Sequence, residues 1–71
     1  MNTHIGATLS RKIKEFRKKQ GITQERLAEL TETSYKYIQR IEGRNPPDVR
    51  LTTIARLAKA LKVNPSKLLD F

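Results

Sequence analysis

The sequence contains no cysteine, no tryptophan and a single histidine. Without cysteine there is no disulfide, no thiol nucleophile and no thiolate metal site, a usage that fits a reducing cytosol. Stability must then come from an apolar core alone. A chain of 71 residues is near the lower size at which one core suffices, so residues 1–71 are expected to form a single domain with no large active-site cleft. His4 lacks every companion of a metal ligand and reads as a solvated terminal side chain, so no metal is expected. Gly6, Gly21 and Gly43 are isolated, which excludes a phosphate-cradling glycine loop. No catalytic constellation is present, and neither an enzyme, a cofactor nor a small-molecule substrate is expected. Long apolar runs are missing too: no segment approaches the span of a membrane helix, and MNTHIGATLS has neither an apolar run nor a basic n-region. The expectation is a soluble cytoplasmic chain.

Acidic residues are the other shortage, seven against fifteen Lys and Arg, leaving a net charge of +8. Residues 1–21 carry six basic side chains and one acidic, residues 22–43 three and four, residues 44–71 six and two. Two basic flanks therefore enclose a nearly neutral centre. A solvated charge run accounts for this in the ordinary case. An excess of this size also suits a polyanion, with the flanks meeting phosphates on either side of a polar reading surface.

That centre, Thr23 to Gly43, holds two short amphipathic segments around a polar break. Thr23 is an N-cap residue, and Glu25 follows where negative charge complements the helix dipole. Leu27, Ala28, Leu30 and Thr31 are expected to form the inward face of this helix, Ala28 being small where a crossing helix must approach closely. Glu32 and Thr33 make the break. Ser34 can cap a second helix, 34–42, whose Ile38 and Ile41 lie three apart on one face. Its opposite face is Tyr35, Lys36, Gln39 and Arg40, two pairs at i, i+4 that project together.

The remaining segments are helical by spacing. From Thr8 the pattern Leu9, Ile13, Phe16, Gln20 is amphipathic, and Gly21 should end that helix as a left-handed cap, while Met1 to Gly6 is expected to fray. Its narrow apolar stripe suits a core rather than a membrane surface. Pro46-Pro47 forbids helix and favours an extended connection. Leu51, Ile54, Leu57, Ala58 and Leu61 define another helix, after which Lys62 takes a left-handed cap position. Asn64-Pro65 opens a short last helix, and Leu68, Leu69 and Phe71 either close the core or contribute to a dimer contact.

Gln24, Leu27-Ala28, Ser34, Ile38 and Ile41-Glu42-Gly43, with Arg17 upstream and residues 57–63 (LAKALKV) downstream, resemble the Cro/C1-type (XRE family) helix-turn-helix domain of phage repressors and small bacterial regulators. The resemblance covers residues 9 to 69. It implies an all-α fold of the lambda-repressor kind, a compact bundle of four helices plus a short fifth. It also implies that Arg17 pairs with Glu42, tying the first helix to the reading helix. Here Glu42 and Gly43 are adjacent, where the family usually has one residue between them.

By the same resemblance the expected activity is sequence-specific binding of double-stranded DNA by a transcriptional regulator, a repressor in this reading. Helix 34–42 would lie in the major groove, where Arg40 or Lys36 donates to guanine, Gln39 pairs with adenine and Tyr35 meets a thymine methyl or a phosphate. Thr23, Gln24, Ser34, Tyr37, Arg44 and Asn45 are the expected phosphate contacts, with Arg17 and Arg50 as further candidates. Free N–H groups at a helix N-terminus make the first of these an anion site. Since one helix reads only a few base pairs, a homodimer on a palindromic operator is expected. Two rivals remain: a protein-interaction module such as an antitoxin or anti-repressor, and an RNA binder, for which the stacked aromatic platform is missing.

Overall fold

Apolar residues at helical spacing fold into five helices in the computed structural model, which describes residues 5–69. They are α1 (Ile5–Lys19), α2 (Gln24–Leu30), α3 (Tyr35–Ile41), α4 (Leu51–Leu61) and α5 (Pro65–Leu68), with no strand among the described residues. The fold is all-α, four helices plus a short fifth. The expectations for His4 and Phe71 lie outside the described residues.

α2, α3 and α5 each begin where a side chain takes up a free N–H, whereas α4 starts after Arg50 with no side-chain cap. Thr23 Oγ1 accepts from Arg26 N and Ser34 Oγ from Tyr37 N, both at 3.0 Å. Asn64 Oδ1 accepts from Ser66 N at 3.2 Å, with Pro65 in the first position of α5. Each such cap is worth about 1 kcal/mol. Gly21 ends α1 at φ +68°, and Lys62 ends α4 at φ +59° in the left-handed region where a Cβ is strained.

One core joins the elements: Leu9 and Ile13 of α1, Leu27 and Ala28 of α2, Ile38 and Ile41 of α3, Ile54, Leu57, Ala58 and Leu61 of α4, and Leu68 of α5. α2 packs on α3 and α4, while α4 also touches α1 and α5. Lys19 Nζ sits 5.7 Å over the ring of Phe16, which is packed against that core.

Four details depart from the sequence reading. α1 opens at Ile5 rather than Thr8, and Gly6, expected to fray, is helical with Pro46 in van der Waals range of where its Cβ would stand. Gln20 lies just past the end of α1 and is exposed, so the apolar stripe stops at Phe16. Leu30 is not on the inward face of α2: it is 42% exposed. At 100° per residue it points about 100° away from the centre of the Leu27, Ala28, Thr31 stripe. Thr31 takes the fully buried position, its hydroxyl donating to Leu27 O at 2.7 Å. Leu51 is exposed because it stands in the first turn of α4, ahead of the stretch that covers the core.

Candidate nucleic-acid interface

The turn between α2 and α3 sets how the second of these short helices is presented. Glu32 adopts φ +57°, a left-handed residue that reverses the chain within one position. Thr33 N then bonds back to Ala28 O at 2.9 Å, and the Thr31 and Thr33 hydroxyls share a hydrogen bond of 2.9 Å. The break expected at Glu32 and Thr33 is thus a hydrogen-bonded corner. Ser34 starts α3 directly after it.

α3 divides sharply. Ile38 and Ile41 are fully buried, whereas Tyr35, Lys36, Gln39 and Arg40 are exposed on the other side. These four form one surface of mixed donors and acceptors. Tyr37, between the two sides, is partly buried and packed on the core.

The far end of α3 is held by charge. Glu42, its C-cap, accepts from Arg17 Nε at 2.6 Å through one carboxylate oxygen and from Arg17 Nη2 at 3.0 Å through the other. The second oxygen also accepts from Gln24 Nε2 at 3.1 Å, and Arg17 Nη1 donates to Ile22 O at 2.9 Å. The side chains of Arg17 and Glu42 are only 12% and 2% exposed. A planar guanidinium gripping both oxygens of a buried carboxylate fixes angle as well as distance. α1, the start of α2 and the end of α3 therefore meet at one hub. The adjacency of Glu42 and Gly43 does not keep Glu42 from Arg17. Gly43 is nevertheless constrained, since a Cβ there would stand 3.1 Å from Gln39 O.

The candidate phosphate ligands lie around this helix. Ser34 and Thr23 are exposed caps whose hydroxyls already accept from their own helices. Gln24 is half-buried, with its amide nitrogen on Glu42 rather than turned outward. Arg44, Asn45 and Arg50 are exposed on the connection from α3 to α4. Sequence reasoning missed the structural use of Gln24 and also Ser10, a buried residue whose hydroxyl donates to Gly43 O at 3.3 Å. Ser10, Ile13 and Arg17 stand at i, i+3, i+7, the spacing that puts Ser10 on the face carrying the hub.

Among the described residues no cluster of His, Cys, Asp or Glu is placed to hold a metal ion, and no helix is long and apolar enough to cross a membrane.

The family model described as Helix-turn-helix, of Cro/C1 type, matches residues 13–68. Among solved structures, the restriction-modification controller protein C.AhdI from Aeromonas hydrophila is similar, with a TM-score of 0.80 and 33% identity over 86% of this chain and 91% of that one. No curated protein is significantly similar.

Proposed function

Since the chain belongs to the Cro/C1-type helix-turn-helix family, and with it to the double-stranded DNA-binding transcriptional regulators, we propose that it reads an operator by laying α3 in the major groove and acts as a repressor. The observation that carries this is the division of α3: four exposed polar side chains on a helix whose other side is core and whose two ends are fixed. A groove about 12 Å wide admits such a helix, and each base pair presents its own donors and acceptors there. Arg40 and Lys36 are donors suited to guanine O6 and N7. Gln39 offers the donor and acceptor pair that adenine requires, and Tyr35 an apolar ring edge for a thymine methyl.

Phosphates flank this contact. In this reading the backbone N–H groups at the start of α2, between Thr23 and Gln24, take one, with Ser34 and Tyr37 beside them and Arg44 and Asn45 beyond the end of α3. These contacts fix register and leave sequence choice to α3.

A two-fold dimer would place two such helices about 34 Å apart on a palindrome. An apolar cleft of about 440 Å³, lined in part by Ile5, Leu9, Pro46, Pro47, Val49 and Leu69, is a surface that a second copy would cover. Leu68 faces the core and Leu69 is 40% exposed, so only Leu69 of the two is free to serve such a contact.

The test is selection of bound sequences from a random duplex pool, followed by binding of single-base variants. A two-fold symmetric consensus supports the reading. Failure to enrich any sequence, with binding to an acidic protein instead, as an antitoxin or anti-repressor would show, would overturn it.

A further inference from the structure

A second concave surface lies away from α3. It is a cleft of about 610 Å³ between the end of α1, α2 and the end of α4, and no residue of α3 or of the 43–50 connection lines it. Ile22, Leu30 and Ala60 supply its apolar lining, with Leu30 42% exposed. Around them stand Arg26, Arg56, Lys59 and Lys62, against a single carboxylate, Glu32. Arg26 is engaged with Glu29 at 3.6 Å, whereas Arg56, Lys59 and Lys62 form no ion pair with any described carboxylate. An exposed leucine in a depression ringed by four cations, three of them without an ion pair to any described carboxylate, is an arrangement in which apolar contact and charge call for the same occupant.

We propose that this cleft docks a short amphipathic segment of another protein that carries carboxylates beside a large apolar side chain, and that it does so while α3 is on DNA. The apolar part would cover Leu30, Ile22 and Ala60, and the carboxylates would meet Arg56, Lys59 and Lys62. Helix-in-groove recognition works in this way, through anchors at i, i+3 and i+4, and the volume falls in the range that such anchors and small ligands fill. Duplex DNA fits less well. Its phosphate ridges are convex and carry nothing to fill an apolar depression, and its thymine methyls are reached by a protruding element, not a cleft. The cations would also raise the encounter rate with an acidic partner.

The probe is a synthetic end-capped peptide of about 15 residues, with leucine at i, i+3 and i+4, three glutamates flanking that stripe and alanine elsewhere, a composition that favours helix without crowding like charges. A counterpart keeps the leucines and replaces glutamate with glutamine, which removes the charge without drawing the peptide to the DNA. The full chain, isotope-labelled and saturated with duplex DNA, is titrated with each while amide chemical shifts are followed. The expected result is shifts at Ile22, Leu30, Lys59 and Ala60 with the acidic peptide only, and affinity lowered at least roughly tenfold by Lys59→Glu and also by Leu30→Ser. Both variants should keep wild-type DNA affinity and thermal midpoint. Three outcomes overturn the proposal: no shift up to about 1 mM peptide, shifts scattered over every basic surface, or loss of DNA affinity in Lys59→Glu, which would make the cleft a phosphate contact instead. Lys59 is outside the proposed reading surface, so failure here leaves the reading by α3 standing.

Discussion

Glu42 gathers three helices onto one carboxylate, so its removal should be felt far beyond its own position. Glu42→Ala leaves the Arg17 guanidinium in a site where it is 12% exposed, and an uncompensated buried charge is expected to lower stability by about 3 kcal/mol in chemical denaturation. Gln24→Ala separates the two uses of that side chain. Loss of its bond to Glu42 should cost about 1 kcal/mol of stability, and DNA affinity should fall by a similar factor for operator and unrelated duplex. A change in sequence preference would show that Gln24 acts beyond positioning. The two left-handed non-glycine residues among those described permit a test of opposite sign: Glu32→Gly and Lys62→Gly should each raise stability by about 0.5 to 1 kcal/mol, relief of Cβ strain exceeding the added chain entropy. Thermal melts at matched concentration decide this. Lys62 was legible in the sequence because a helix-ending cap has a defined place after the last apolar position. Glu32 was legible only as a break, since two polar residues between helices satisfy several corner geometries.

At the scale of the element, α3 has seven residues, too few to persist alone. Its order is conferred by the Ser34 cap, the two buried isoleucines and the Glu42 hub. The exposed side contributes none of these. Arg40→Ala is therefore expected to leave the thermal midpoint unchanged while weakening the preferred site by about 1 to 3 kcal/mol and relaxing choice at one base pair per half-site. Lys36→Ala should act likewise at a neighbouring pair. Binding series against single-base operator variants at fixed salt make the distinction, because equal weakening on every sequence would assign Arg40 to the backbone. The placement of this surface could be read in advance, since Ile38 and Ile41 at i, i+3 leave only one direction for Tyr35, Lys36, Gln39 and Arg40. α2 was read less well. Leu30 sits among apolar letters, yet its angle around the helix, and the ability of Thr31 to satisfy its own hydroxyl, sent leucine to the surface and threonine inside.

The whole molecule carries +8, and most of that charge is on surfaces that salt can screen. If roughly four to six phosphates are neutralised per dimer, log K against log salt should fall with a slope of about −4 to −5. A flat response would point to a protein partner in place of DNA. The fold should survive the same titration, because its principal ion pair, Arg17 with Glu42, is shielded from solvent. Net charge and its division into flanks could be read directly from composition. What composition does not contain is which cations end up around one depression: Arg26 and Arg56, or Leu30 and Ala60, are brought together only by the packing of α2 against α4. The bond from Ser10 to Gly43 belongs with these, since it joins positions far apart in the chain.

The separation of the two sides of α3 also bears on how such a protein can change over generations. A duplicated copy could replace Tyr35, Lys36, Gln39 and Arg40 in any order without passing through an unfolded intermediate, because none of the four lends an atom to the core or to the hub around Glu42. New target preferences would arise one substitution at a time on an unaltered scaffold. Paralogues in one cell could then diverge in the sites they occupy while remaining alike in stability.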